Sequence, residues 1–127
     1  MRLRVEISPG EAIDKITILE IKRSRIADRN KLEHVRREAE TLREVVEPLL
    51  HSKPTLRHLQ TSLQAVNEAL WTIEDRLRDL EARGEFGADF VRLARDVYMT
   101  NDKRAALKAE INALLGSDIA EQKSYAS

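Results

Sequence analysis

Arg104 makes the sharpest chemical demand in this sequence. It falls on the stripe Phe90, Leu93, Val97, Thr100, Arg104, Leu107, Ile111 and Leu114, in which only Thr100 and Arg104 are polar. A guanidinium does not shed its proton to escape desolvation, so an arginine on a core-facing position needs a carboxylate or a ligand anion. Two chemistries meet that need. In the first, Arg104 forms an internal ion pair that fixes helix register, as buried polar positions of coiled-coil seams do. Glu68, Glu74, Asp75, Asp14 and Glu20 are the carboxylates available for it. In the second, Arg104 with Thr100 and Asn101 borders a pocket for a phosphate or carboxylate group, with Asp14, Lys15, Glu74 and Asp75 around it.

Other chemistries find less support. There is no cysteine, which removes disulfides, thiol nucleophiles and Cys-based metal sites. His34, His51 and His58 are scattered, and Glu47 with His51 is a poor ligand pair across Pro48, so no metal is expected. No glycine-rich phosphate loop or hydrolase signature is present, and no cofactor is expected. The stretch from Lys22 to Arg37 carries seven Lys and Arg, but no aromatic residue interleaves with them and acidic residues follow at once. Inter-helix salt bridging or a solvated face explains that stretch better than nucleic acid does. Trp71 sits beside the apolar position Leu70 and shares a face with Asn67, Glu74 and Asp75; cover by a third helix is its simplest role.

These residues must be positioned by helices. Ala, Glu, Lys, Leu and Arg make up about half of the 127 residues, the composition of long helices. The 22 basic and 22 acidic side chains cancel, which argues against a protein working mainly by neutralising phosphates. Ser8-Pro9-Gly10-Glu11 is a helix start, with Ser8 as cap, Pro9 at the first position and Glu11 able to bond back to Ser8. The first helix then runs to about residue 27, apolar around much of its circumference, as suits a helix covered on more than one side.

A second helix spans about 29–50 with the seam Leu32, Val35, Ala39, Leu42, Val46 and Leu49. Pro48 and Pro54 bracket a break. The third helix carries Leu56, Leu59, Leu63, Val66, Leu70, Ile73, Leu77 and Leu80 and ends near Arg83, where Gly84 supplies a left-handed cap. The fourth runs over about 88–115 and is ended by Gly116. Thr100-Asn101-Asp102, whose side chains can bond their own backbone, either kink it or divide it in two, or stand as solvated polar groups on a straight helix. Ahead of all four helices, Met1, Leu3, Val5 and Ile7 alternate with charged residues and predict a short β-strand over 1–7, which needs a pairing partner: the tail or another copy. The tail over 116–127 is polar and flexible unless docked.

Several segments, namely Ile7-Ser8-Pro9-Gly10-Glu11, Asp14-Lys15-Ile16-Thr17-Ile18-Leu19-Glu20-Ile21-Lys22, Leu70-Trp71-Thr72-Ile73-Glu74-Asp75, and Thr100-Asn101-Asp102 with Arg104-Ala105-Ala106-Leu107-Lys108, resemble an uncharacterised family of small bacterial proteins. It is classed as a domain of unknown function, and the resemblance covers nearly the whole chain. It implies that polar groups on three helices converge in one charged network. Ile13-Asp14-Lys15-Ile16 is also superficially similar to the first helix of the helical chorismate mutases, but the arginine spacing that follows fits poorly.

The sequence thus predicts a single all-α domain over 1–127. Its expected architecture is a four-helix antiparallel bundle built on a long coiled-coil-like hairpin of the second and third helices, with a short N-terminal β-strand. No apolar run reaches the length of a membrane span, and a cytoplasmic, homodimeric, non-catalytic interaction or assembly module is the expected function. A binding or enzymatic site for an anionic small molecule, sugar- or phosphate-related, centred on Arg104 is the alternative.

Overall fold

The computed structural model describes residues 1–118 and contains four helices: α1 (Pro9–Arg25), α2 (Arg29–Ser52), α3 (Pro54–Ala82) and α4 (Ala88–Leu114). The starts follow capping chemistry. Ser8 Oγ accepts from the Glu11 N–H at 3.1 Å with Pro9 opening the helix, and Asp28 Oδ1 accepts from the Lys31 N–H at 3.0 Å at the start of α2. Glu11 does not complete the reciprocal box at Ser8; its carboxylate turns to Lys108.

The ends are equally specific. Gly84 has φ +68° and Gly116 φ +63°, and beyond them Glu85 N–H reaches Leu80 C=O and Ser117 N–H reaches Asn112 C=O, both at 2.9 Å. These are six-residue closures that satisfy the last carbonyls of α3 and α4. Gly84 has no neighbour that a Cβ would meet, so the left-handed backbone alone decides its substitution. Gly84→Ala is expected to cost about 1–2 kcal/mol, read as a lower urea midpoint at unchanged slope.

The apolar seams supply the core. Ile13, Leu50, Leu56, Leu63 and Ile111 are completely or almost completely buried, with Ile16, Leu19, Val35, Ala39 and Val46 around them. Helices α1 and α3 each pack against all three others, while α2 and α4 make no close backbone approach to one another. The four axes therefore form a rhombus with α1 and α3 across its short diagonal. That position explains why α1 is apolar around so much of its surface: eight of its 17 residues are buried.

Two expectations are corrected, the hairpin spine and the N-terminal strand. The largest contact joins α3 to α4, and α2–α3 is the smallest of the touching pairs, so the long hairpin of the second and third helices is not the spine of the fold. The break expected between Pro48 and Pro54 forms, and Pro48 itself is not where α2 ends. It lies inside the helix, which continues to Ser52, and Lys53 alone separates α2 from α3. Thr100-Asn101-Asp102 does not divide α4, which is one uninterrupted helix. No β-strand forms at 1–7, because no described segment offers this backbone a partner; the segment is exposed throughout. Of the tail expected at 116–127, residues 119–127 lie outside the described residues.

Candidate functional site

The interior of the bundle holds a polar network where α1, α3 and α4 meet. Asp14, on α1, is 1% exposed, and Arg104, on α4, grips its carboxylate with two parallel bonds: Nε to Oδ1 at 2.9 Å and Nη2 to Oδ2 at 2.5 Å. Asn67, on α3, donates through Nδ2 to Asp14 Oδ1 at 2.9 Å and to Thr17 Oγ1 at 2.8 Å. The Thr17 hydroxyl in turn donates to the Asp14 carbonyl at 2.7 Å. Among the described residues no buried side-chain nitrogen or oxygen lacks a partner. A charge removed from water is tolerable only under such complete satisfaction, and bidentate arginine–carboxylate geometry supplies the strongest form of it.

A second set of contacts clamps the same helices one turn away. Lys108, itself buried, places Nζ 2.7 Å from Glu11 Oε2, and Asn112 Oδ1 accepts from the Gly10 N–H at 2.8 Å. As residue numbers rise along α1 from 10 to 11 to 14, their partners on α4 fall from 112 to 108 to 104, so the two helices run antiparallel. Gly10 permits this approach. A Cβ there would lie 2.6 Å from the Lys108 carbonyl oxygen and 2.9 Å from Asn112 Oδ1, closer than real Cβ contacts come.

The network opens on one side into a cleft of about 270 Å³, whose charged lining comprises Glu11, Asp14, Lys15, Lys22, Glu38 and Arg104. Three cations thus face three carboxylates. Arg104 holds Asp14, Lys15 Nζ lies 3.1 Å from Glu38 Oε1, and Glu11 is taken by Lys108. Of the three lining cations, Lys22 alone has no ion-pair partner among the described residues. Lys15 and Glu38 are about half-exposed, so their pair contributes little to stability.

Of the residues singled out around Arg104, the structure brings together Asp14, Lys15 and Arg104. Glu74 and Asp75 stay exposed and make no ion pair among the described residues. Thr100 and Asn101 are half-buried on α4 but do not line the cleft. The other carboxylates that could have met Arg104 are engaged elsewhere: Glu20 pairs with Arg43, and Glu68 accepts from Gln64. Asn67 and Thr17 were not anticipated. The available signal was Asn67 at i+4 from Leu63 and Thr17 at i+4 from Ile13, which places both polar groups on core-facing arcs.

Fold and site together define a four-helix domain organised around an internal ion pair. The chain belongs to DUF6165, a family of unknown function whose profile matches residues 3–127. No curated protein and no solved structure matches it. Among the described residues no helix is long and apolar enough to cross a membrane.

Proposed function

We propose that the chain is a non-catalytic helical assembly module of the bacterial cytoplasm, acting as a homodimer. The observation that carries this reading is the exposure of large apolar side chains at two places: Leu3, Val5 and Ile7 ahead of α1, and Val91, Tyr98 and Met99 on α4. Clustered apolar exposure marks surfaces that meet another protein, whereas isolated exposed residues need no explanation.

The competing reading, a site for a small anion at Arg104, draws support from the adjoining cleft. Its charge balance weighs the other way. An incoming phosphate or carboxylate would find Arg104 already bidentate to Asp14 and Lys15 already beside Glu38, leaving Lys22 as its main unengaged cation. A group that must displace an existing carboxylate gains only the difference between two similar interactions.

Sedimentation equilibrium over the low to high micromolar range is the test. A concentration-dependent shift from monomer to dimer is expected. A single compact monomer across the range would overturn the assembly reading.

A further inference from the structure

Resting on the assembly reading, we infer that two copies of the chain join through antiparallel β-pairing of residues 3–7, in a register centred on Val5.

The segment is exposed where exposure is costly. Leu3 is 82% exposed, Val5 76% and Ile7 43%, while the backbone of 1–7 makes no hydrogen bond among the described residues. Its alternation places Leu3, Val5 and Ile7 on one face of an extended chain and Arg4 and Glu6 on the other. Ser8, which follows, already has extended backbone angles at φ −71° and ψ 154°, so the chain enters α1 from a β conformation.

The sequence of this segment is complementary to itself in one direction. An antiparallel pair centred on Val5 sets Val5 against Val5, Leu3 against Ile7, and Arg4 against Glu6 twice, with Arg2 opposite Ser8. Every apolar residue then meets an apolar residue and every acid meets a base. Shifting the centre to Arg4 places two arginines opposite each other. A parallel pair stacks Arg4 near Arg4 and Glu6 near Glu6. Opposite charges directly across a sheet stabilise it and like charges oppose it, so the Val5-centred register is favoured over both. The tail over 119–127 offers no comparable alternation of apolar and charged residues. A two-stranded ribbon of this length is marginal by itself, so the association is weak and reversible.

The absence of native cysteine makes cross-linking a direct reading of register. Residues directly opposite in an antiparallel pair lie about 4.5–5.5 Å apart at Cα, within disulfide reach. Leu3 and its symmetry copy are separated by four residue steps, roughly 14 Å, and so are the two copies of Ile7. Under mild oxidation Val5→Cys is expected to give a covalent dimer, whereas Leu3→Cys and Ile7→Cys separately give little. Mixing the last two variants should yield the cross-linked heterodimer. Glu6→Arg should weaken dimerisation about ten-fold, and Arg4→Glu combined with Glu6→Arg should restore it.

Equal cross-linking by all three single variants would indicate chance collision of an unpaired segment and overturn the inference. Cross-linking of Leu3→Cys with Val5→Cys instead would overturn the register. A dimer by sedimentation in which Val5→Cys does not cross-link refutes strand pairing and leaves the assembly reading standing. A monomer at every concentration refutes both.

Discussion

Asp14→Ala is expected to lower folding stability by about 3 kcal/mol, a fall of roughly 10 °C in Tm. Removing one partner of a buried ion pair costs about 3–5 kcal/mol, because the remaining charge is stranded away from water. Here the lower end applies, since the Arg104 side chain is 29% exposed and can turn its guanidinium toward solvent. Arg104→Ala should cost at least as much. The carboxylate it leaves behind is 1% exposed and retains Asn67 as its side-chain donor. The decisive quantity is the coupling between the two. The double variant should be only slightly less stable than either single one, giving an interaction energy of about 2 kcal/mol in urea unfolding. Strict additivity would mean that the pair does not act as a unit. Because this network consumes Arg104 inside the fold, such a result also bears on function: residues that hold helices together are poorly placed to turn over a substrate.

Gly10→Ala is expected to destabilise the protein by about 2–3 kcal/mol, the opposite of what helix propensity alone implies. In the first turn of a free helix the substitution would be neutral or favourable. Here the new methyl group must displace both the Lys108 carbonyl oxygen and the Asn112 side chain. The carbonyl belongs to the backbone of α4 and moves only if the helix moves. The Asn112 amide can rotate away, but it then gives up the bond from the Gly10 N–H at 2.8 Å. Adding Asn112→Ala to Gly10→Ala should therefore recover part of the loss, leaving the clash with the carbonyl. Thermal and urea denaturation of the single and double variants measure both effects. A more stable Gly10→Ala protein would show that α1 and α4 do not approach so closely.

Much of this architecture was legible in the residues because helical burial is periodic. The seams of α2, α3 and α4 all turn inward, and Ser8, Gly84 and Gly116 mark helix ends with the expected chemistry. Arg104 stood out as a polar residue on an apolar stripe, and the internal pair it needed does form. Which carboxylate would answer it was beyond reach, since five were available and the choice depends on how α1 rotates against α4. Asn67 reads as a neighbour of Trp71 and not as a core residue, because it sits one residue from the seam position Val66. Short polar side chains with hydrogen-bond partners occupy interiors without leaving a break in the apolar pattern.

Where a local signal yields to the fold, the cause is physical as well. Pro48 removes one backbone donor, but inside a helix with a buried face the loss is absorbed without ending it. Thr100-Asn101-Asp102 favours turns in isolation, yet α4 packs against both α1 and α3. The alternation at 1–7 describes a strand correctly in its side chains. What it omits is that a strand is a relation between two backbones.

The place of α1 has a consequence for the order in which the molecule is made. Of the four helices it is the first to be synthesised, and its polar core residues wait longest for their partners. Asp14 meets Asn67 across 53 residues and Arg104 across 90, so both contacts demand closure of long loops. The α3–α4 hairpin, closed over the short link 83–87, needs no such search. The α1–α2 pair, joined over the link 26–28, closes as locally, so folding in which the two short-linked pairs form first and α1 docks on α3 and α4 last follows from these separations. Its kinetic signature would be an Asp14→Ala protein that unfolds faster while folding at nearly the normal rate; a proportionate slowing of folding would place that docking in the nucleus instead.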